Sequence, residues 1–203
     1  MKTALLVLFC ALWPSIAAPQ TFFEYLSDDE IPADVKPFVE SRTRVLVLKR
    51  ADLNGDGRMD ILLVLEMQPA QAVDPPIEDR QRPLLLLIRQ PDGSLTAAKR
   101  NDMIVYCSTC GGAMGDPFVT VKAARNSFTI GHYGGSAWRW GNSFTFGFSR
   151  RDNTWQLVEV AEESFHALDP KEKTPRVYKP PKDFGKIDIA DFDPETWKGA
   201  GRK

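Results

Sequence analysis

Three apolar runs constrain the fold of this chain more than any other feature of its sequence. They are VLVLK (45–49), ILLVLE (61–66) and PLLLLIR (83–89). Side chains alternate between the two faces of a strand, so a short run that is apolar throughout is typical of a central strand covered on both sides. LTAAKR (95–100) follows the turn PDGS and completes a four-stranded unit over about 43–100.

A second unit of four predicted strands lies at about 118–161. Its strands are FVTVKAA (118–124), SFTIGHY (127–133), AWRWGNSFTFGFS (137–149) and TWQLVEVA (154–161). In the long third strand the even positions carry Trp138, Trp140, Phe144, Phe146 and Phe148, whereas the odd positions are mostly polar. Period-two alternation therefore predicts one aromatic, buried face and one polar face.

The segments that flank the two units carry weaker signals. Residues 22–41 indicate a loop and a short N-terminal helix, because Pro32 precedes apolar residues at helical spacing. Residues 162–203 are rich in proline and charge, which excludes a regular core element. We expect an irregular strap that five apolar side chains pin across the surface, with a loose end beyond Trp197. They are Phe184, Ile187, Ile189, Phe192 and Trp197.

Oxygen-bearing residues crowd the segment ADLNGDGRMD between the first two strands. Numbered from the first aspartate, the donors are Asp52 at position one, Asn54 at three, Asp56 at five, the Arg58 carbonyl at seven and Asp60 at nine, with Gly57 at six. Calcium takes 6–8 oxygen ligands, and alternating side chains with a glycine turn and one carbonyl allow a short loop to wrap it. A plain hairpin turn is the rival interpretation, since D-G and N-G dipeptides are common turn formers.

The spacing resembles the calcium loop of FG-GAP and VCBS repeats, which form blades of integrin-α-type β-propellers. The resemblance implies that Asp52, Asn54, Asp56, the Arg58 carbonyl and Asp60 bind calcium. Only one such loop and two four-stranded units are found, whereas a propeller usually has at least ~4 blades. We therefore expect a mainly β fold, with two blade-like antiparallel units packed as a sandwich or an incomplete propeller. A second pattern, CSTCGG with GDPF and HYGGSAWRW, is similar to exported bacterial proteins.

The N-terminus predicts export. Lys2 precedes an apolar run and then small residues, which is the layout of a signal peptide over 1–17 with cleavage after Ala17. A lipoprotein anchor at Cys10 is the alternative, and bulky Phe9 disfavours it. The interpretation places a single β domain at 18–161 in the periplasm or outside the cell, without a transmembrane anchor. The net charge of −1 and dispersed basic residues argue against nucleic acid as a partner.

Two cysteines remain after such processing. Cys107 and Cys110 are predicted to form a disulfide in an oxidising compartment. The alternative is an enzyme, redox-active or hydrolytic, that uses the loop 107–112 and His132. His132, like Phe128 and Ile130, has an even number and so lies on the same face of the predicted strand. This placement favours a hydrogen-bonded core histidine over a catalytic set with Asp116 and Ser108 or Ser136.

If the strands form an up-and-down meander, the aspartate loop and the cysteine loop lie at opposite ends. The cysteine end, centred on 107–116 with Asp116, Tyr133 and Arg139, is then the candidate binding face, and the long loop at 67–82 joins it. Trp138 and Trp140 give a further alternative, a carbohydrate-binding module. Our leading hypothesis is a non-enzymatic exported protein with structural calcium that presents loops to a protein or cell-envelope partner.

Overall fold

The computed structural model describes residues 23–68 and 82–197, which form two antiparallel sheets that do not close into a barrel. The first sheet has the order β1 (Thr43–Ala51), β2 (Asp60–Met67), β3 (Arg82–Arg89), β4 (Leu95–Val105). The second has the order β5 (Phe118–Ala124), β6 (Ser127–Gly135), β7 (Trp138–Ser149), β8 (Thr154–His166), β9 (Arg176–Tyr178). Both sheets are therefore meanders. The mainly β fold and the eight predicted strands are confirmed, and β9 is an addition.

The two sheets pack face to face as a sandwich. The first sheet contributes Leu62, Val64, Leu84 and Leu86, and the second contributes Phe128, Ile130, Phe144, Phe146, Leu157 and Val160. In β7 the buried residues have even numbers, as the alternation predicts, but Trp138 at the strand end is 65% exposed. Removal of this apolar surface from water is the main stabilising contribution to the fold.

The first sheet is also buried on its outer face. Ile61, Leu63, Leu65, Leu85 and Leu87 pack there against Ile31 and Val35 of the N-terminal segment. This double burial explains why the strands are apolar at every position. The predicted N-terminal helix is wrong in extent, since only a 3-10 turn, Lys36–Phe38, forms. Pro32 and Pro37 supply no N–H groups, which limits helical hydrogen bonding across this short segment.

The C-terminal segment enters the sandwich more deeply than the sequence predicts. β9 pairs with β8, and Ile189 and Phe192 are fully buried in the core rather than laid across its surface. The side-chain amide of Asn101 donates to the carbonyls of Ile189 and Phe192, at 2.6 and 2.8 Å. These bonds fasten the strap to β4. The loose end predicted beyond Trp197 lies outside the described residues.

Turns from both sheets meet at each end of the sandwich. At one end Asn126, in the β5–β6 turn, donates its N–H to the carbonyl of Asp52 at 2.9 Å. At the other end Gly135 donates to the carbonyl of Gly111 in the cysteine loop at 2.8 Å. The predicted separation of the two loops is thus observed. The signal peptide (1–17) and most of the loop predicted at 67–82 fall outside the described residues. Within 23–68 and 82–197, no helix has the length and apolar character needed to cross a membrane.

Candidate functional site

The aspartate loop, residues 52–60, is anchored by its last member. Asp60 begins β2 and is fully buried. Its Oδ2 accepts the N–H of Leu53 at 2.8 Å, and its Oδ1 accepts the N–H of Arg89 at 2.9 Å. Among the described residues no lysine or arginine forms an ion pair with it, and burial raises the pKa of this carboxyl. Asp60 thus fixes the loop to β3 with a buried carboxylate that has no cationic partner.

The outer part of the loop is held by side-chain oxygens that bind backbone N–H groups. Asn54 Oδ1 accepts from the Asp56 N–H at 3.0 Å, Asp56 Oδ1 from the Arg58 N–H at 2.9 Å, and Asp52 Oδ2 from the Gly57 N–H at 3.1 Å. Such local bonds are characteristic of Asn and Asp in turns. Gly57 has φ +90°, a conformation that glycine adopts without steric cost. The predicted ligands are therefore brought together in one compact loop.

Two arginines partly offset the charge of the loop. Arg58 Nη2 lies 2.6 Å from Asp56 Oδ2, and Arg125 Nε lies 3.3 Å from Asp52 Oδ2. Desolvation acts to raise the pKa of the Asp56 carboxyl. The hydrogen bonds that it accepts from Arg58 and Asn54, together with the Arg58 charge, outweigh this effect and hold the pKa below its usual range. Among the residues that the structure covers, no three acidic, histidine or cysteine side chains are arranged to hold a metal. A calcium site here would depend on amide and carbonyl oxygens as well, which calcium accepts.

Two buried oxygens beside this loop lack a hydrogen-bond partner. They are Asp52 Oδ1 and Asn126 Oδ1, and among the described residues no other buried side-chain oxygen is unpaired. Asn126 belongs to the other sheet, and its Oδ1 lies over Gly55, 2.1 Å from the position that a Cβ would occupy. An unpaired buried oxygen costs free energy that a bound cation would recover. On this observation the loop fits calcium.

An ionic network centred on a buried arginine lies at the opposite end. Arg82, at the start of β3, is 1% exposed and lies 3.0 Å from Glu66 and 2.5 Å from Asp116. It also donates to the Tyr106 carbonyl at 3.1 Å, and the hydroxyl of Tyr25 donates to Glu66. Desolvation opposes the charge of Arg82, but its two carboxylate partners outweigh this effect and raise the pKa of Arg82. We call these residues, Tyr25, Glu66, Arg82 and Asp116, the Arg82 network.

His132 lies beside that network and is buried, with 2% of its surface exposed. Its Nε2 accepts the Tyr106 N–H at 3.3 Å, so the ring proton is on Nδ1, which donates to Asn142 Oδ1 at 3.0 Å. Asn142 in turn donates to the Tyr106 hydroxyl at 3.0 Å. Burial lowers the pKa of His132 to about 4 and raises that of Tyr106 to about 12. The predicted core histidine is confirmed.

The histidine does not join the catalytic set drawn from the sequence. Its nitrogen partners are Tyr106 and Asn142, whereas the Asp116 carboxylate binds Arg82 and accepts the Phe118 N–H at 3.0 Å. Since Asp116 is paired with the Arg82 guanidinium and not with the ring, His132 is arranged as a structural hydrogen-bonding group rather than as a member of that catalytic set.

The cysteine loop and the residues around it lie at the end of the sandwich opposite the aspartate loop, as predicted. Cys107 and Cys110 lie at disulfide distance, with Cα atoms 5.2 Å apart. Tyr133 donates its N–H to the Pro117 carbonyl at 2.8 Å, and Arg139 Nη1 donates to the Gly135 carbonyl at 3.1 Å. The structure therefore brings Tyr133 and Arg139 to the loop, while Asp116 is turned inward to the Arg82 network.

The two tryptophans of β7 have different surroundings. Trp138 is exposed and contacts His166 edge-on, whereas Trp140 is partly buried against Tyr106. Trp140 also lines a cavity of about 280 Å³ beside β8 and β9, whose other walls include Asn142, Glu162 and Arg176. The two tryptophans therefore differ in exposure. The carbohydrate interpretation through Trp138 and Trp140 stays a prediction.

Comparison of the chain with models of known protein families, with curated protein sequences and with solved structures gives no match in any of the three. The likeness of the aspartate loop to FG-GAP and VCBS repeats therefore stays a prediction. The assignment of the site depends on the contacts described above.

Sequence reasoning missed two residues that the structure places at these sites. The sequence places Arg82 in the predicted loop at 67–82, and no local pattern pairs it with Glu66 and Asp116, which lie 16 and 34 positions away. Asn126 falls between the predicted strands 118–124 and 127–133, where the sequence indicates only a short turn. Its φ of +62° is typical of asparagine in turns, and no local pattern reveals its contact with a loop more than 60 positions earlier.

Proposed function

We propose that this chain is an exported, non-enzymatic β-sandwich protein that a structural calcium ion stabilises and that binds a protein or cell-envelope partner. The observation that carries the proposal is the aspartate loop, in which Asp52 Oδ1 is buried without a partner, and Asp60 without a counter-charge, in the described part of the chain. A divalent cation would compensate both. The ligands would be Asp52, Asn54, Asp56, the Arg58 carbonyl and Asp60.

The proposal assigns the two ends of the molecule different tasks. The ion would hold the aspartate end, because its ligands come from a loop that already contacts both sheets. The cysteine end would bind the partner, because Tyr133 and Arg139 contact segments beside a loop that the disulfide constrains, and Trp138 in the same hairpin is exposed. Exposed aromatic and arginine side chains are common anchors of protein interfaces.

Calcium titration of the EDTA-treated protein tests the metal. At free calcium about 100-fold above the dissociation constant, we expect stabilisation by about 2.7 kcal/mol and a clear rise in melting temperature. Asp56→Ala should abolish this rise. Asp92→Ala is a matched control, since Asp92 also accepts a backbone N–H, from Ser94, in a turn at the same end. If the loop is only a turn whose charge the arginines neutralise, calcium should leave the melting temperature of all three proteins unchanged. That result would refute the calcium proposal.

A further inference from the structure

We infer that Asn126 completes the calcium site, so that the ion links the two sheets of the sandwich. The inference depends on the proposed calcium site and goes beyond the aspartate loop, which belongs wholly to the first sheet. Asn126 lies in the β5–β6 turn of the second sheet. No ligand position in the DxNxDGxxD spacing corresponds to it.

The first argument is the state of its side-chain oxygen. Asn126 Oδ1 is buried and has no hydrogen-bond partner, and it lies against Gly55 in the middle of the loop. Asp52 Oδ1 is the other unpaired buried oxygen in the described part of the chain. Both residues belong to one contact, since the Asn126 N–H donates to the Asp52 carbonyl at 2.9 Å. Two unpaired oxygens on residues that contact each other indicate a shared positive ligand better than either oxygen alone.

The second argument is the composition of the donor set. Calcium prefers 6–8 oxygens, and the spacing of the loop names five. No three acidic side chains among the described residues converge to bind a metal by themselves. A neutral amide oxygen from the second sheet adds a ligand without adding negative charge to a cluster that already holds three aspartates.

The third argument is that the turn is already docked on the loop. Arg125 Nη2 lies 3.5 Å from the Gly55 carbonyl, and the Phe148 N–H donates to the Asn126 carbonyl at 2.8 Å. The backbone of Asn126 is thus held between the loop and β7. Its side chain would need little rearrangement to bind an ion there, which lowers the entropic cost of binding.

The test compares calcium affinities by chelator competition. Asn126→Gly removes Oδ1 and tolerates the positive φ, and we expect the dissociation constant to rise at least about tenfold, because loss of even an outer-shell partner typically costs roughly 10- to 100-fold. Asn126→Asp retains the oxygen and should bind at least as tightly as the parent. Asn153→Gly is the matched control, since Asn153 also has positive φ in a turn at this end, and its affinity should not change.

Amide hydrogen exchange of the parent protein provides a second readout. Calcium should slow exchange at Asn126 and Phe148 in the second sheet as well as within the aspartate loop. Equal affinities for parent and Asn126→Gly, with protection confined to residues 52–60, would overturn the link between the sheets while leaving the calcium site intact. A parent protein that binds no calcium would instead refute the proposed function, and the inference with it.

Discussion

The aspartate loop and the Arg82 network place carboxylates at opposite ends of the same sandwich, and they differ in how their buried atoms are paired. In the Arg82 network, Glu66 binds a guanidinium and a tyrosine hydroxyl, and Asp116 binds the same guanidinium and a backbone N–H. In the aspartate loop, Asp60 has only backbone N–H partners within 23–68 and 82–197, and one oxygen of Asp52 has no partner there.

The difference separates a structural centre from a candidate ligand site. A buried polar network that is fully paired stabilises one arrangement and has no unsatisfied atom for a ligand to complete. A loop with unpaired buried oxygens and an uncompensated carboxylate lowers its free energy when a cation binds. Both centres hold carboxylates and arginine, so composition alone does not distinguish them. The pairing of individual atoms does.

Loss of Arg82 should have the largest effect. Arg82→Met leaves the buried Glu66 carboxylate without its counter-charge, and breaking a buried pair in this way typically costs 3–5 kcal/mol, so we expect a loss of about 4 kcal/mol. Urea unfolding measures it. The double variant Arg82→Met/Glu66→Gln should regain part of the loss, because the orphaned charge is gone.

Arg100→Met is the matched control for that experiment. Arg100 also contacts two carboxylates, Glu40 and Asp102, but its side chain is 42% exposed. Exposed pairs contribute at most about 1 kcal/mol. If Arg82→Met were no more destabilising than Arg100→Met, the Arg82 network would not be the structural centre that its burial indicates.

The next effect is a pH dependence caused by His132. Burial holds its pKa at about 4 in the folded protein, whereas an unperturbed histidine titrates at 6.5. Between these values the unfolded chain binds the proton and the folded chain does not, so stability is full above pH 6.5 and falls as the pH drops to about 4. At about 1.4 kcal/mol per pKa unit, the loss is about 3 kcal/mol.

Comparison with variants isolates this contribution from the carboxylates that titrate in the same range. His132→Gln should show a shallower fall in unfolding free energy between pH 7 and pH 4 than the parent. His166→Gln, at the partly buried histidine beside Trp138, should keep the steep dependence. The same slope for parent and His132→Gln would contradict a neutral, sealed His132.

Much of the fold could be predicted because its signals are local. The continuous apolar pattern of β2 and β3 reports burial on both faces, and the alternation in β7 reports burial on one. The three residues of β9 escaped prediction because RVY carries too short a pattern among prolines and lysines. The sequence predicts Phe192 on the surface, because its burial depends on contacts with Phe144 and Phe146 that no local pattern encodes.

The residues of the candidate site also differ in whether their signals are local in the sequence. The aspartate loop is visible in the sequence because its donors alternate within nine positions. Asn126 and Arg82 act through partners far away in the chain, so only the tertiary structure shows what they contact. Local spacing therefore predicts which oxygen donors one loop brings together, and packing of the two sheets determines what else reaches that loop.

The smallest expected effect tests how closely Asn126 is seated on the aspartate loop. Gly55 and Gly57 both have positive φ, so replacing either by alanine introduces similar backbone strain, about 1 kcal/mol. A Cβ at Gly55 would also stand 2.1 Å from Asn126 Oδ1, whereas one at Gly57 would meet nothing within 4 Å. In EDTA, Gly55→Ala should therefore cost about 1 kcal/mol more than Gly57→Ala in urea unfolding. Adding Asn126→Gly should remove that excess, because the clashing side chain is gone. Equal losses for the two alanine variants would mean that Asn126 does not lie over the loop, and the pairing that distinguishes this end from the Arg82 network would have to be revised.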